Sequence, residues 1–525
     1  MNNYLYRSCK SVIICVLVVC VLLPLVNLLR SVRFEDIKIV LGSVQFFMML
    51  KNSLVTSIIA TLLSVGFAFL LASCVNRTCM KGKPLFRILF TLPMLIPSIS
   101  HGMGLVLLLG TNGILTNLLG IAFDLYGFNG IVLGSVLYSF PVAFLLLNDG
   151  FQYEDGATYE AAEVLGLNKW EQFIQITLSN MKAPLISSLF AVFTMIFTDY
   201  GVPLAVGGQV LTLPVYMYRE VIGLMNYSQG AIIGLVLLVP ALIEFIMDLK
   251  SGDQVAMVHG SKRCVKAHQG KDTFVFVFCS VVVCLLLLPL SVFLILSFVK
   301  SYPIDLSFSL MNVQEAFRLG VGMYLKHSIA IALATAIVGM SITYFTAYIT
   351  SRSKKTFTNL SLHLISLISL AIPGVVLGLC YVLFFHGSIL YGSVFILIQV
   401  NITHFFASPY LMAYNSLKRF NANFEDVAAV HGISKIHLLL DVFVPCTKET
   451  LLEIFAYLFV NAMVTISAVS FLANFKNMPL SLLIPQFDSQ SMIEATAFIS
   501  IVIFGVNVMV KGIIFVLKKQ MGGNE

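Results

Sequence analysis

Long apolar stretches constrain the fold of this chain more than any other feature of its sequence. About twelve runs of roughly 20 apolar residues are separated by short polar breaks. A membrane-spanning helix needs about 20 apolar residues. A transmembrane β-barrel would instead alternate apolar and polar residues over strands of about ten. We therefore predict an all-α, multi-pass membrane protein with about twelve transmembrane helices.

The composition excludes a soluble globular protein. Hydrophobic residues make up 58% of the 525 and charged residues 11%, whereas about a quarter is charged in soluble domains. The net charge of +7 does not indicate nucleic-acid binding, because the basic residues lie between the apolar runs and form no patch. The ten cysteines follow no CxxC pattern, so we expect neither a disulfide framework nor a metal site.

The basic residues set the predicted topology, since cytoplasmic loops carry an excess of Lys and Arg. Both termini and every strongly basic break fall on the cytoplasmic side, and the first run is interpreted as a retained helix. The predicted spans are 11–29, 52–75, 88–110, 129–147, 184–206, 231–249, 274–298, 325–350, 360–385, 393–414, 450–472 and 493–517. This order predicts one repeat at 1–249, a basic cytoplasmic linker at 250–272 and a second repeat at 273–525.

Proline and glycine interrupt the third span of each predicted repeat. Pro93, Pro97 and Gly104 lie in the first, and Pro373 and Gly374 lie in the second. Such residues free backbone groups at membrane depth, which then need protein or water as a partner. We predict kinked helices at both places.

Two polar stretches between the apolar runs look alike. The first contains Glu160, Ala161, Ala162, Gly166, Ile176 and Leu178. The second contains Asp426, Ala428, Gly432, Val442, Val444 and Pro445. The offset is 266 residues both from Glu160 to Asp426 and from Gly166 to Gly432, about half of the chain, which indicates an internal duplication. In the first copy, the Ala- and Glu-rich sequence before Gly166 favours a short helix, the glycine permits a sharp turn, and residues 169–171 can start a second amphipathic segment.

This pattern resembles the EAA loop of permease subunits in binding-protein-dependent ABC importers. The chain departs from the family at Ser179, where Pro is usual, and at Asp426 and Val427, which replace Glu and the first Ala. The resemblance implies two tandem type I importer (MetI-like) repeats. It also implies that each loop inserts into a groove of an ATPase subunit, with Glu160 paired to a basic residue there and Gly166 setting the bend.

The resemblance further implies the partners. No G-x-x-x-x-G-K-[ST] sequence occurs in the chain, so it lacks the usual phosphate-binding loop for ATP. We therefore expect a permease subunit that is not an enzyme and binds no cofactor. The resemblance implies that a separate ATPase homodimer on the cytoplasmic side uses ATP, and that an extracytoplasmic solute-binding protein delivers the cargo. The chain is expected in the plasma or inner membrane.

Two further stretches, 198–204 and 464–472, resemble the fused permeases for ferric iron and 2-aminoethylphosphonate. The sequence alone does not separate these two cargoes, and thiamine or polyamine permeases are alternatives. An ion-coupled secondary transporter is an alternative of another class, because twelve helices in two repeats also fit that architecture. An exporter-type ABC permease would carry its own nucleotide-binding domain or fewer, longer helices.

Five residues are candidates for the translocation path: His101, Asp199, Tyr200, Thr465 and Ser467. Ionisable residues within spans usually face a cavity or a partner. A structural role is the alternative for two of them. Asp199 would cap a broken helix or anchor the following loop, and His101 would satisfy carbonyls freed by the nearby prolines.

Overall fold

A computed structural model describes residues 2–152, 154–251, 268–353 and 356–522 of the chain. Most of the linker predicted at 250–272 falls on residues 252–267 and lies outside the described residues. The linker's Lys262, Arg263 and Lys266 are therefore not described, and neither are Lys354 and Lys355 of another predicted basic break.

Helices form most of the described chain. Up to residue 251 they are α1 (Asn2–Leu17), α2 (Leu23–Arg30), α3 (Phe34–Gly42), α4 (Val44–Asn76), α5 (Lys83–Thr91), α6 (Ser98–Leu109), α7 (Ile114–Leu119), α8 (Phe128–Gln152), α9 (Gly156–Val164), α10 (Lys169–Gln172), α11 (Leu178–Phe197), α12 (Gly201–Val206), α13 (Leu213–Tyr218) and α14 (Tyr227–Ser251). From residue 268 they are α15 (Gln269–Leu296), α16 (Met311–Arg318), α17 (Val321–Arg352), α18 (Phe357–Ile368), α19 (Gly374–Phe385), α20 (Val394–His404), α21 (Ala407–Lys418), α22 (Asn423–Val430), α23 (Lys435–Leu438), α24 (Val444–Cys446), α25 (Lys448–Val464), α26 (Leu483–Ser489) and α27 (Ile493–Gly522). Two strands, β1 (Val299–Ser301) and β2 (Asp305–Phe308), pair antiparallel.

Nine helical segments of the described chain are long and apolar enough to cross a membrane, and two bent helix pairs raise the number to eleven. One pair, Phe357–Ala371 with Gly374–Phe385, bends by 113°, and the other, Val394–His404 with Ala407–Lys418, bends by 53°. The predicted all-α, multi-pass membrane fold is thereby confirmed. The remaining predicted span, 450–472, overlaps α25, whose 17 residues are fewer than the about 20 needed for a straight crossing.

The kinks predicted at Pro97 and Pro373 are complete helix breaks. Pro97 is the N-cap of α6 and Pro373 is the N-cap of α19. The residue before each proline is extended, with ψ of 155° at Ile96 and 107° at Ile372, because proline disfavours the helical conformation of its predecessor. Both α6 and α19 contain 12 residues, so the two repeats share this feature.

One packing unit comprises residues 43–216 and 242–309. In it α4 packs along α8, and Ser139 Oγ lies 3.0 Å from Ser64 Oγ between these helices. Phe90 packs against Phe144, with 4.9 Å between the ring centroids. Cys279 of α15 is fully buried in the same core. The first helix of the predicted second repeat therefore packs with helices of the first.

The other packing unit comprises residues 1–42, 217–241 and 310–525. In it α17 packs against α25, where the Tyr344 hydroxyl lies 2.6 Å from Thr447 Oγ1. Asn27 of α2 donates a 2.8 Å hydrogen bond to the carbonyl of Leu383 in α19. Helices from both ends of the chain therefore share this unit. The repeat boundaries at 249 and 273 stay predictions, because packing does not mark where a repeat begins.

Candidate functional site

The first motif copy folds as a helix that ends at a left-handed glycine. Gly166 follows α9 with φ of +76°. The N–H of Gly166 donates to the carbonyl of Glu163 at 3.1 Å, and the N–H of Leu167 donates to that of Ala162 at 3.0 Å. These two bonds form a Schellman motif, which ends a helix through a residue with positive φ. The turn predicted at this glycine is present.

The second copy repeats this geometry. Gly432 follows α22 with φ of +67°. Its N–H donates to the carbonyl of Ala429 at 3.2 Å, and the N–H of Ile433 donates to that of Ala428 at 2.8 Å. Both copies therefore end their first helix by the same pair of backbone hydrogen bonds.

The equivalence continues beyond the glycines. Asn168 caps α10 in a capping box with Glu171, and Ser434 caps α23 at the equivalent position. A five-residue π-helix follows in each copy, Phe173–Thr177 in the first and Leu439–Phe443 in the second. Cap residues and π-helices keep the 266-residue offset found in the sequence, as a duplicated structural unit requires.

The predicted coupling residues divide into exposed and buried positions. Glu160, Ala161 and Asp426 are exposed. Ala162 and Ala428 are buried and carry the carbonyls that accept the C-terminal cap bonds. The acidic side chain of each copy is thus available to a partner.

Apolar side chains are exposed at the tip of each loop. Val164 is 89% exposed and Val430, at the equivalent position, is 85% exposed. Leu165 and Trp170 of the first copy are also exposed. Val164, Leu165 and Val430 lie outside the candidate membrane spans, and Trp170 lies at the start of the span Lys169–Phe197. Exposed apolar groups outside a membrane indicate a protein-binding surface when they cluster.

An arginine at the end of α4 anchors the first loop. Arg77 Nη2 lies 2.6 and 2.9 Å from the carboxylate oxygens of Glu154, 2.6 Å from the Tyr159 hydroxyl and 2.9 Å from Thr177 Oγ1. Tyr159 also donates to Glu154. The Glu154 side chain is only 3% exposed. Burial, together with the hydrogen bond to Glu154, raises the pKa of Tyr159 to about 12.

An arginine at the end of α17 anchors the second loop. Arg352 Nε and Nη2 bind the two carboxylate oxygens of Glu425 at 2.6 and 2.5 Å. Arg352 also donates to the carbonyls of Phe420, at 2.6 Å, and Asn421, at 2.8 Å. The planar guanidinium matches a carboxylate in this bidentate geometry. The guanidinium carbon of Arg352 lies 5.1 Å from the ring centroid of Phe443.

Sequence reasoning missed both anchors and interpreted the arginines only as topology signals. The reason is an exchange of residue types between the copies. Glu154 and Tyr159 in the first copy correspond, at the 266-residue offset, to Phe420 and Glu425 in the second. The acid of the first copy therefore aligns with an aromatic residue of the second, and the acid of the second aligns with an aromatic residue of the first. An alignment of the two motifs shows no shared acidic position. The only available signal was an arginine ending the long second helix of each repeat.

The candidate path residues lie at helix breaks. Asp199 Oδ2 accepts a 2.9 Å hydrogen bond from the N–H of Val202 in the first turn of α12, and Tyr200 is buried beside it. Thr465 is the C-cap of α25 and is buried. Asp199 and Thr465 are again 266 residues apart. Asp199 follows the end of α11 and Thr465 follows the end of α25.

Two further candidates lie within the packing units. His101 in α6 is buried, with its ring centroid 5.7 Å from that of Tyr138. The hydroxyl of Ser467 adjoins Gly374, where any larger side chain would clash with it. His101, Asp199 and Tyr200 belong to one unit, while Thr465 and Ser467 belong to the other. A path shared by all five residues stays a prediction.

These features define a class of protein: a multi-pass helical membrane transport subunit with two structurally equivalent loops. The chain belongs to the family of binding-protein-dependent transport system inner membrane components. The family model matches twice, at residues 64–249 and 339–522. The predicted resemblance and the two permease repeats are thereby confirmed.

Relatives of the chain are ABC permeases of several kinds. The ferric transport system permease protein FbpB of Actinobacillus pleuropneumoniae is 26% identical over 473 residues, 83% of this chain and 66% of that protein. FbpB 1 of Haemophilus influenzae is 26% identical over 455 residues, 81% of this chain and 70% of that protein. The sulfate transport system permease protein CysW of Synechococcus elongatus is 23% identical over 214 residues, 39% of this chain and 75% of that protein. The chain thus spans about two thirds of the length of the FbpB proteins.

Proposed function

We propose that this permease forms the translocation path for iron(III) in an ATP-binding-cassette importer. The support is that the two relatives named for ferric transport match across both repeats, over 83% and 81% of the chain. The sulfate relative matches only 39% of it. No comparable observation favours 2-aminoethylphosphonate, thiamine or a polyamine.

We further propose that the two loops bind two copies of one ATPase subunit. One observation carries this proposal: the loops repeat the same helix, glycine, cap and π-helix at a constant offset, and Val164 and Val430 are exposed at the same point of each. The two subunits of an ATPase homodimer offer identical binding sites, which match two loops of the same structure. Glu160 and Asp426 then face basic residues of the ATPase, which hydrolyses ATP in place of this chain.

The orientation follows from the loops. If they bind the ATPase, they face the cytoplasm, and so do both termini by the charge rule. The opposite surface then receives iron(III) from an extracytoplasmic solute-binding protein. The chain contributes the conduit, the binding protein supplies cargo selectivity, and the ATPase supplies the driving energy.

The test is uptake by proteoliposomes that contain the permease and its ATPase, with binding protein added outside. We expect accumulation of radiolabelled iron(III) that requires internal ATP and is not reduced by excess 2-aminoethylphosphonate. Uptake of labelled 2-aminoethylphosphonate instead would contradict the cargo. Uptake driven by an ion gradient without any ATPase would support a secondary transporter and contradict the mechanism.

A further inference from the structure

A cavity of about 340 Å³ lies beside the first coupling loop, by which we mean residues 156–177 from α9 to the π-helix. The second coupling loop is the equivalent segment, residues 423–443. Its lining includes Arg77 after α4, Lys169 in α10 and Lys271 in α15, together with Cys74 and Tyr159. Three cationic side chains thus converge from three separate elements. Arg77 is already paired with Glu154, whereas no acidic side chain is among the residues that line the cavity.

The cations retain capacity for another partner. The Nε of Arg77 is buried and has no hydrogen-bond partner among the described residues. Lys271 makes no ion pair with any residue that the structure describes. Lys169 pairs with Glu163 at 2.7 Å, but these side chains are 78% and 53% exposed, so the pair is weak. Lys271 therefore has no ion-pair partner among the described residues and Lys169 has only a weak one, so an anion in the cavity would complement their charge.

Beside the second loop, a side chain of α1 occupies the corresponding place. Lys435, the equivalent of Lys169, has its ammonium 4.9 Å from the ring centroid of Tyr6. The Tyr6 hydroxyl lies 2.9 Å from Ser353 Oγ, next to the anchor Arg352. Tyr6 is 8% exposed. The Tyr6 ring of α1 therefore contacts the ammonium of Lys435 beside the second loop. Beside the first loop, α15 contributes Lys271 instead, and the cavity remains open next to it.

The cavity lies at the boundary between apolar spans and polar loops. Cys74 is near the end of the span Val44–Asn76, and Val275 is near the start of the span Gln269–Leu296. Arg77 and Tyr159 belong to the polar layer just beyond. Phosphate headgroups of a bilayer occupy this level, and basic pockets between spanning helices there bind anionic headgroups.

We propose that this cavity binds a phosphate group, supplied by the headgroup of an anionic phospholipid. Soluble phosphate esters share that chemistry, and the experiment distinguishes the two sources. The bound phosphate would contact Arg77 and the first loop's Tyr159, and would make the order of that loop depend on lipid composition. The inference rests on the proposed function only for the side of the membrane on which the cavity opens.

Cys74 provides a direct probe. The full-length chain, with every other cysteine replaced by alanine, is reconstituted in nanodiscs of phosphatidylcholine with increasing phosphatidylglycerol. We expect phosphatidylglycerol to slow maleimide labelling of Cys74. Lys271→Gln should raise the fraction of phosphatidylglycerol for half-protection about fivefold, and Lys169→Gln/Lys271→Gln about 30-fold. Lys435→Gln, whose ammonium is held by Tyr6, is the matched control and should change nothing.

The alternatives give different results. Protection by inorganic phosphate in pure phosphatidylcholine, with no effect of phosphatidylglycerol, would assign the cavity to a soluble phosphate ester. No protection by either, or equal protection in Lys169→Gln/Lys271→Gln, would overturn the proposal. Native mass spectrometry of the wild-type chain, which should retain phosphatidylglycerol, decides the outcome if the variants fail to fold. The assay contains no ATPase or cargo, so failure of the proposed function would leave its result unaffected.

Discussion

Arg352 holds Glu425 through two hydrogen bonds of 2.6 and 2.5 Å, and this pair joins the end of α17 to the start of the second coupling loop. The Arg352 side chain is 6% exposed and that of Glu425 is 22% exposed. This ion pair connects the loop directly to α17, a helix long and apolar enough to cross a membrane. Arg77 and Glu154 make the equivalent contact in the first repeat.

Removing the ion pair between Arg352 and Glu425 should lower the local stability of the second loop. Arg352→Gln leaves the carboxylate of Glu425 without its ion-pair partner, so we expect a loss of about 3 kcal/mol in local stability. Limited proteolysis should show faster cleavage around residues 421–432. In a separate uptake assay, the variant should be inserted in the membrane but take up iron more slowly than the wild type. Arg419→Gln, an exposed neighbour, is the control and should change stability by less than about 0.5 kcal/mol. Unchanged proteolysis and uptake in Arg352→Gln would contradict the anchor role.

The first anchor should depend on pH through Tyr159. Its pKa is raised to about 12 from 10.0, so the neutral hydroxyl stabilises the folded loop fully below pH 10 and loses this effect as pH rises toward 12. Tyr159→Phe removes one hydrogen-bonded hydroxyl and should cost about 1 kcal/mol at pH 8. The difference in melting temperature between wild type and Tyr159→Phe should shrink above pH 10. A difference that stays constant from pH 8 to 11 would show that Tyr159 ionises normally.

The turn glycines should be sensitive to backbone conformation alone. A Cβ at Gly166 or Gly432 would meet no atom within 4 Å, while φ is +76° and +67°. Alanine at either position should therefore cost about 1 to 2 kcal/mol through the left-handed conformation. Asparagine tolerates that conformation better and should cost less. Thermal unfolding of the paired Ala and Asn variants measures this order, and equal effects would argue against backbone strain.

The exposed valines should affect ATPase binding and leave the stability of the permease unchanged. Val164→Ser and Val430→Ser remove apolar surface that is 89% and 85% exposed in the isolated chain. Burying a valine contributes about 1.5 kcal/mol, so each variant should weaken binding of purified ATPase about tenfold. Ile304→Ser, at a residue 88% exposed in the turn between β1 and β2, should leave binding unchanged. Wild-type affinity in Val164→Ser/Val430→Ser would place the ATPase elsewhere.

Much of the architecture could be predicted because its causes are local. A run of apolar residues long enough to cross a bilayer predicts a spanning helix whatever its neighbours are. A glycine after a short polar helix indicates a left-handed turn, as at Gly166 and Gly432. The breaks at Pro97 and Pro373 follow from the restriction that proline places on the residue before it.

The remaining features depend on contacts between distant residues. Nothing in the sequence of α15 states that Cys279 packs with the first repeat, because apolar helices offer similar surfaces to many neighbours. The anchors combine Arg77 with Glu154 and Arg352 with Glu425, and the acid occupies a different motif position in each. A pattern search that requires identical positions cannot find such a pair.

Cross-linking of the two loops to the ATPase tests the central claim most directly. Glu160→Cys and Asp426→Cys, each introduced singly into a cysteine-free chain, are combined with the cognate ATPase in inside-out membrane vesicles. We predict that both positions form cross-links to the ATPase subunit, and that a bound nucleotide changes the yield of both equally. Labelling of either cysteine only from the extracytoplasmic side, with no cross-link from either position, would contradict the account.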